Sequence, residues 1–255
     1  MVDIILCCYN QEKTIEKALL SIYSQVTSEK ANLIIADDSS TDKTLEIIKR
    51  STPPDWINQV YLEKENNLGF VKNYKRAFNS CHSDFVFILE GDDYWHSPNH
   101  IEQHLVFLRE NIDISMSMNR LTLLYENSGK IDYSYWDDNW GLVKKWTLAE
   151  QIYANRLGNL SGCCFRGELI RKLPKKLFDI YVADWLLGMI MAQDGNIAIF
   201  KETTSTYRIC PNGQWSRMTQ EEQRLEMLKC ADIYEKYFDF KYKTEFEALR
   251  ARLKK

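Results

Sequence analysis

Apolar runs that stop at acidic or amide-rich turns recur along the first hundred residues. The clearest is Phe85-Val86-Phe87-Ile88-Leu89, which leads directly into Glu90-Gly91-Asp92-Asp93. An unbroken run with β-branched and aromatic bias predicts a central strand buried on both faces. Its carboxylates must then sit at the exposed carboxyl end. Residues 2–8, broken only by Asp3, predict a first buried strand that stops at Tyr9-Asn10-Gln11. Ile15, Ala18, Leu19, Ile22 and Tyr23 fall at helical spacing and predict a helix over about 14–25. A second strand over 32–36 ends in Asp37-Asp38-Ser39-Ser40-Thr41-Asp42, where Ser40 or Thr41 is expected to cap a helix over 42–50. Pro53-Pro54 breaks that helix. A short strand over 60–62, a turn at Asn66-Asn67-Leu68-Gly69 and a helix over 70–81 complete the third unit.

Three strand–helix units in succession predict an α/β fold with a mostly parallel sheet and right-handed crossovers. The polar ends of several strands then share one rim, where open α/β sheets bind ligands. Beyond residue 97 the pattern is less regular. Ser97 and Pro98 open a helix to about 111, strands are expected over 114–118 and 120–125, and Asn127-Ser128-Gly129 predicts a hairpin with 131–136. Residues 137–145 read as irregular, Thr147 as the cap of a helix to about 155, and 160–166 as a short strand of small residues. Residues 184–193 read as helix, 195–207 as mostly strand, and 211–213 as a loop. From Thr219 the chain is helical by pattern, with a break near 238–241.

The chain has 255 residues, 45% hydrophobic and 27% charged, with a net charge of −3. It is expected to fold as one domain over 1–218, in halves 1–97 and 98–218, followed by a C-terminal helical extension over 219–255. No broad cationic surface is implied, so nucleic acid is not an expected partner. Seven cysteines include two adjacent pairs and no CxxC spacing, and the sequence begins with a strand rather than a charged leader. Those features predict a reducing, cytoplasmic setting. No window approaches 18 apolar residues.

Glu90, Asp92 and Asp93 repel one another unless a cation lies between them, and hard oxygen donors suit Mg²⁺ or Mn²⁺. The competing reading is a solvated acidic turn with Gly91 supplying its conformation. His96, His100 and His104 are spaced for one helix face. An exposed polar face is expected there, because no cysteine or acid completes a zinc spacing. Trp136, Trp140 and Trp146 either pack a long loop or stack on a sugar.

Taken together, six segments in order over most of residues 2–216 resemble the family 2 glycosyltransferases. They are Cys8-Tyr9-Asn10 with Leu20-Ser21-Ile22 and Gln25, Ala36 through Asp42, Asn67-Leu68-Gly69, and Leu89 through Asp93. Asp184-Trp185 and Tyr207-Arg208 with Gly213, Trp215 and Ser216 complete the set. The resemblance implies a type A glycosyltransferase fold, Rossmann-like, and inverting transfer from a nucleotide-diphosphate sugar, of UDP type by family frequency, to a glycan or lipid-linked acceptor of the cell surface. It assigns Asp184 as general base and Asp92 with Asp93 to Mn²⁺ or Mg²⁺. It places Cys8, Tyr9, Asn10, Asp37, Asp38, Asn67, Glu90, Gly91, Asp92 and Arg208 around the donor, while Lys72, one helical turn after Asn67-Leu68-Gly69, either reaches the nucleotide or its phosphates or is an exposed helix lysine. Two residues depart from the family pattern: Glu90 stands where Asp is usual, and Cys210 where relatives often carry a histidine. Cysteine is a poor ligand for Mg²⁺, so Cys210 is expected not to bind the ion.

The C-terminal helix is expected either to dock on the domain, to form a homodimer, or to set a basic end (Arg250, Arg252, Lys254, Lys255) against anionic lipid at the inner face of the membrane. A nucleotidyltransferase would need a glycine-rich basic loop after the first strand, which Cys8-Tyr9-Asn10-Gln11 is not. A non-catalytic sugar-nucleotide-binding subunit is the other alternative, with Glu90 and Cys210 as its only support.

Overall fold

The computed structural model describes residues 1–63, 66–179, 183–211, 213 and 215–254. Asn212 of the expected 211–213 loop and Lys255 of the expected basic end lie outside them. The amino-terminal units are β1 (Val2–Cys8), α1 (Ile15–Tyr23), β2 (Ala31–Asp37), α2 (Thr44–Arg50), β3 (Ile57–Tyr61), α3 (Phe70–Phe78) and β4 (Phe85–Glu90). Then come β5 (Tyr94–Trp95), α4 (His100–Glu110), β6 (Ile114–Asn119), and the hairpin of β7 (Thr122–Tyr125) and β8 (Ile131–Tyr133). The chain continues with β9 (Val143–Trp146), α5 (Leu148–Tyr153), β10 (Cys163–Arg166), α6 (Gly167–Arg171) and α7 (Ala183–Met191). It closes with β11 (Asn196–Phe200), β12 (Ser205–Ile209), α8 (Gln220–Tyr237) and α9 (Lys243–Leu253).

Eight strands form the main sheet in the order β3-β2-β1-β4-β10-β6-β11-β9. The neighbours β3, β2, β1 and β4 are parallel, and β10 runs antiparallel to both β4 and β6. Strand pleating sends Ile5, Cys7, Val86 and Ile88 to one face and Ile4, Leu6, Phe87 and Leu89 to the other, and each face has its own core. Register fixes the functional rim: Cys8 pairs with Asp37, and Cys7 with Glu90, so the polar ends of β1, β2 and β4 lie side by side.

Several expectations need correction. Ser40 and Thr41 do not cap α2. They bond Asp37 and Asn10 instead, and the Asp42 carboxylate accepts the Thr44 N–H. Residues 143–145, expected to be irregular, form β9 with Trp146 at the sheet edge, where Lys144 and Lys145 suit an exposed edge. The expected strand over 195–207 divides between two sheets, β11 in the large one and β12 in a four-stranded one ordered β5-β12-β7-β8.

His96 is exposed as expected, but the rest of the histidine face is not. His100 and His104 are wholly buried, and their Nδ1 atoms meet Thr204 and Ser117 hydroxyls at 2.8 and 2.7 Å. Trp95 stacks on His100 at 4.4 Å, and burial pushes His104 down to about 3, so both rings are neutral packing elements. The tryptophans pack as a chain, Trp136 edge-to-face on Trp140 at 5.4 Å and Trp140 tilted against Trp146 at 5.6 Å.

Thr219 and Glu222 form a capping box at the start of α8. Asp239 and Phe240, at φ 50° and 59°, make the break before α9. Both helices enter the main core: Tyr234, Phe246 and Leu249 are wholly buried in the cluster that holds Trp185. Of the expected basic end, Arg250 pairs with Asp232 and Glu235, Arg252 faces a pocket described below, and Lys254 is exposed. No described helix is long and apolar enough to cross a membrane.

Candidate active site

β4 carries the site. Glu90 ends the strand, and Gly91 crosses directly against the start of α1. A Cβ on Gly91 would lie 2.3 Å from Gln11 Oε1, 2.9 Å from Cys8 Cβ and 3.0 Å from Ile15 Cδ1, so only glycine lets the turn sit this close. The turn projects three carboxylates whose oxygens lie within 4.8 Å of one another. Each has a distinct environment. Glu90 accepts the Tyr74 hydroxyl at 2.9 Å and the Asn159 amide at 3.3 Å. Asp93 is buried, and both of its oxygens are held: Oδ1 by the Arg208 N–H at 2.8 Å, Oδ2 by Asn159 at 2.7 Å and Ser161 at 2.6 Å. Asp92 is half-buried with Gln11 against it, which leaves it the most open of the three.

Burial raises all three above the usual carboxylate range, and mutual repulsion adds to it for Glu90 and Asp93. Such a group of hard oxygen donors, short of positive charge, fits a divalent ion of the Mg²⁺ or Mn²⁺ type. Cys210 lies outside the group. Burial and Glu126 push its thiol up to about 12, which keeps it protonated.

A pocket of about 470 Å³ brings Glu90, Asp92, Asp184 and Arg208 together. Asp184 sits in the first turn of α7, its Oδ2 accepting Asn155 Nδ2 at 3.0 Å, and burial raises its pKa. Trp185 fixes α7 by donating Nε1 to Gln151 O at 2.6 Å and meeting Tyr234 edge-on at 5.8 Å. Arg208 is tied through Nε to the Asp92 carbonyl at 2.9 Å, and its terminal nitrogens make no hydrogen bond among the described residues. Trp215, 41% exposed, adds an open aromatic ring to the wall.

Cys8, Tyr9, Asn10, Asp37, Asp38 and Asn67 do not line that pocket. They form an adjoining group on the same rim. Asn10, at φ 52°, donates its N–H to Ser40 Oγ and accepts the Thr41 N–H. Asp37 accepts from Ser40, while Asp38 takes the Leu68 and Gly69 N–H groups at 3.0 and 2.8 Å with Asn67 donating to its carbonyl. Tyr9 is half-exposed beside them. Lys72 belongs to neither group: it is exposed on α3, and Arg76 is the α3 cation that reaches the rim, donating to Asp37 O. Sequence reading missed Gln11, Tyr74, Asn155, Asn159 and Ser161, which hold the carboxylates. Their only sequence signal is an amide or hydroxyl interrupting a small or apolar segment.

The pattern of Glycosyl transferase family 2 matches residues 3–165. The chain belongs to that family. An uncharacterized protein of Mycobacterium bovis is 26% identical over 216 residues, 84% of this chain and 60% of that protein, so the chain spans less than two thirds of this relative. Among solved structures, S. aureus TarS 1-349 in complex with UDP-GlcNAc superposes with a TM-score of 0.70 at 19% identity, over 97% of this chain and 70% of that one. The mannosyltransferase PcManGT from Pyrobaculum calidifontis, in complex with GDP-Man and Mn²⁺, gives 0.66 at 15% identity, over 98% and 68%. These likenesses establish the type A glycosyltransferase fold.

Proposed function

We propose that this chain transfers a sugar from a nucleotide-diphosphate sugar, of UDP type, to an acceptor hydroxyl with inversion at the anomeric carbon. The observation that carries the reading is one pocket holding Asp184, the open carboxylate of Asp92 and the unengaged end of Arg208. Asp184, made more basic by burial and oriented by Asn155, takes the proton of the attacking hydroxyl. Asp92 is the residue to hold Mn²⁺ or Mg²⁺, with Glu90 and Asp93 adding negative charge around it. Such an ion, when bound, offsets charge developing on the leaving diphosphate. Arg208 presents its planar fork to a phosphate. The adjoining rim of Cys8, Tyr9, Asn10, Asp37, Asp38 and Asn67 takes the nucleoside, with the Tyr9 ring available to a base. The sugar nucleotides bound by TarS and PcManGT, and the Mn²⁺ of the latter, support a nucleotide-sugar donor and a divalent ion.

Calorimetry against a panel of nucleoside diphosphates and their sugars, with Mn²⁺ and then with chelator, tests the donor site. One nucleotide is expected to bind in a metal-dependent way. Asp184→Asn is expected to keep that affinity while lowering the transfer rate by about 10²–10⁴. Absence of binding across the panel with Mn²⁺ present refutes the reading.

A further inference from the structure

Two arginines line the pocket beside Glu90, Asp92, Asp184 and Glu226 without pairing with any of these carboxylates. Arg156 follows α5 and Arg252 lies in α9, and both line the pocket with Asp184. Neither takes part in an ion pair among the described residues, although acids outnumber lysines and arginines by 36 to 33 in the chain. Each has a buried Nε with no hydrogen-bond partner. Aromatic faces hold them in place. The Arg156 guanidinium lies 4.4 Å from the Tyr135 ring centroid and 5.7 Å from that of Trp146, and Arg252 lies 4.9 Å from Tyr153. A ring face positions a guanidinium without neutralising it. Burial, and then the charge of Arg252, hold Arg156 below the usual arginine range. Two half-buried like charges are unfavourable side by side, and a bound anion relieves both.

Location decides which anion. Arg156 is next in sequence to Asn155, the residue that orients Asp184. It also lines a neighbouring cavity of about 180 Å³ with Tyr135, Trp140 and Tyr207, aromatic surfaces suited to the apolar face of a sugar ring. The residues proposed above for the donor diphosphate, Arg208 and the ion-holding Asp92, are separate from this pair and tied to each other through Arg208 Nε and the Asp92 carbonyl. We infer that the acceptor is acidic, bearing a phosphate or carboxylate that Arg156 and Arg252 clamp while its hydroxyl faces Asp184. This rests on the glycosyl-transfer reading above.

The test measures two affinities in the same samples: a nucleoside diphosphate with Mn²⁺, and then, on that complex, methyl glucoside, methyl glucuronide and glucose 6-phosphate. One acidic probe is expected to bind at least about tenfold more tightly than the neutral one, a preference that shrinks as NaCl rises. The better of the carboxylate and phosphate probes identifies the anion. Arg156→Gln and Arg252→Gln are each expected to remove that preference while leaving nucleotide affinity unchanged. The corresponding lysine variants are expected to recover part of it, which separates lost charge from lost folding. Equal binding of acidic and neutral probes to the parent protein overturns the inference. So does a loss of nucleotide affinity in both glutamine variants, which assigns the pair to the donor. Failure of the parent protein to bind nucleotide instead overturns the transfer reading itself.

Discussion

Asp93 is 1% exposed, yet its carboxylate is matched by three protein donors, the Arg208 N–H, Asn159 and Ser161. Burial and the adjacent Asp92 still push it up to about 7. An unfolded aspartate titrates at about 3.9, so the native state holds this proton more tightly than the unfolded one. The unfolded state therefore binds fewer protons between about pH 4 and 7, and stability falls as pH rises through that window. In chelator, the melting temperature of the parent protein is expected to drop between pH 5 and pH 8 more steeply than that of Asp93→Asn. The variant itself loses about 1–3 kcal/mol, because an amide oxygen cannot replace both carboxylate oxygens and its NH₂ group faces a donor. Parallel melting profiles of the two proteins would mean that Asp93 does not titrate in this range.

At the level of elements, the junction of β4 with β1 and α1 sets the position of Asp92. Gly91→Ala drives a methyl into Gln11, Cys8 and Ile15. Gln11 can swing away, but Cys8 Cβ is fixed by its strand, so the turn must shift. A cost of about 1–3 kcal/mol is expected from the overpacking, together with Mn²⁺ affinity reduced beyond what the stability loss explains, both measurable by calorimetry. Unchanged Mn²⁺ affinity would show that the turn does not place the ligand. This junction was legible in the sequence, because a strand buried on both faces leaves a continuous apolar run and its acids mark the end. β9 was not, because an edge strand with exposed lysines has no such run. Nor were the holders of Asp93: Asn159 and Ser161 reach it across 66 and 68 positions, and a bond at that separation leaves no periodic trace. Helix position alone likewise does not tell which α3 cation turns toward the rim, where Arg76 rather than the exposed Lys72 donates to Asp37 O.

For the whole molecule, the question is whether residues 219–255 are an appendage or part of the fold. Tyr234, Phe246, Leu249 and Leu253 are buried in the core that holds Trp185, and Glu226, Met227, Cys230 and Arg252 wall the pocket. Burying each large apolar side chain contributes about 1.5–3 kcal/mol, so removing several approaches the roughly 5–15 kcal/mol by which a domain is stable. A chain ending at residue 218 would also expose Trp185, which Tyr234 covers at 5.8 Å. Its expected behaviour is a broad thermal transition and red-shifted tryptophan emission. A truncated chain that unfolds cooperatively at the full-length melting temperature would instead mark α8 and α9 as an appendage. In that case nucleotide binding should survive the truncation and the preference for acidic acceptors should not, because Arg252 leaves with α9 while Asp92 and Arg208 remain.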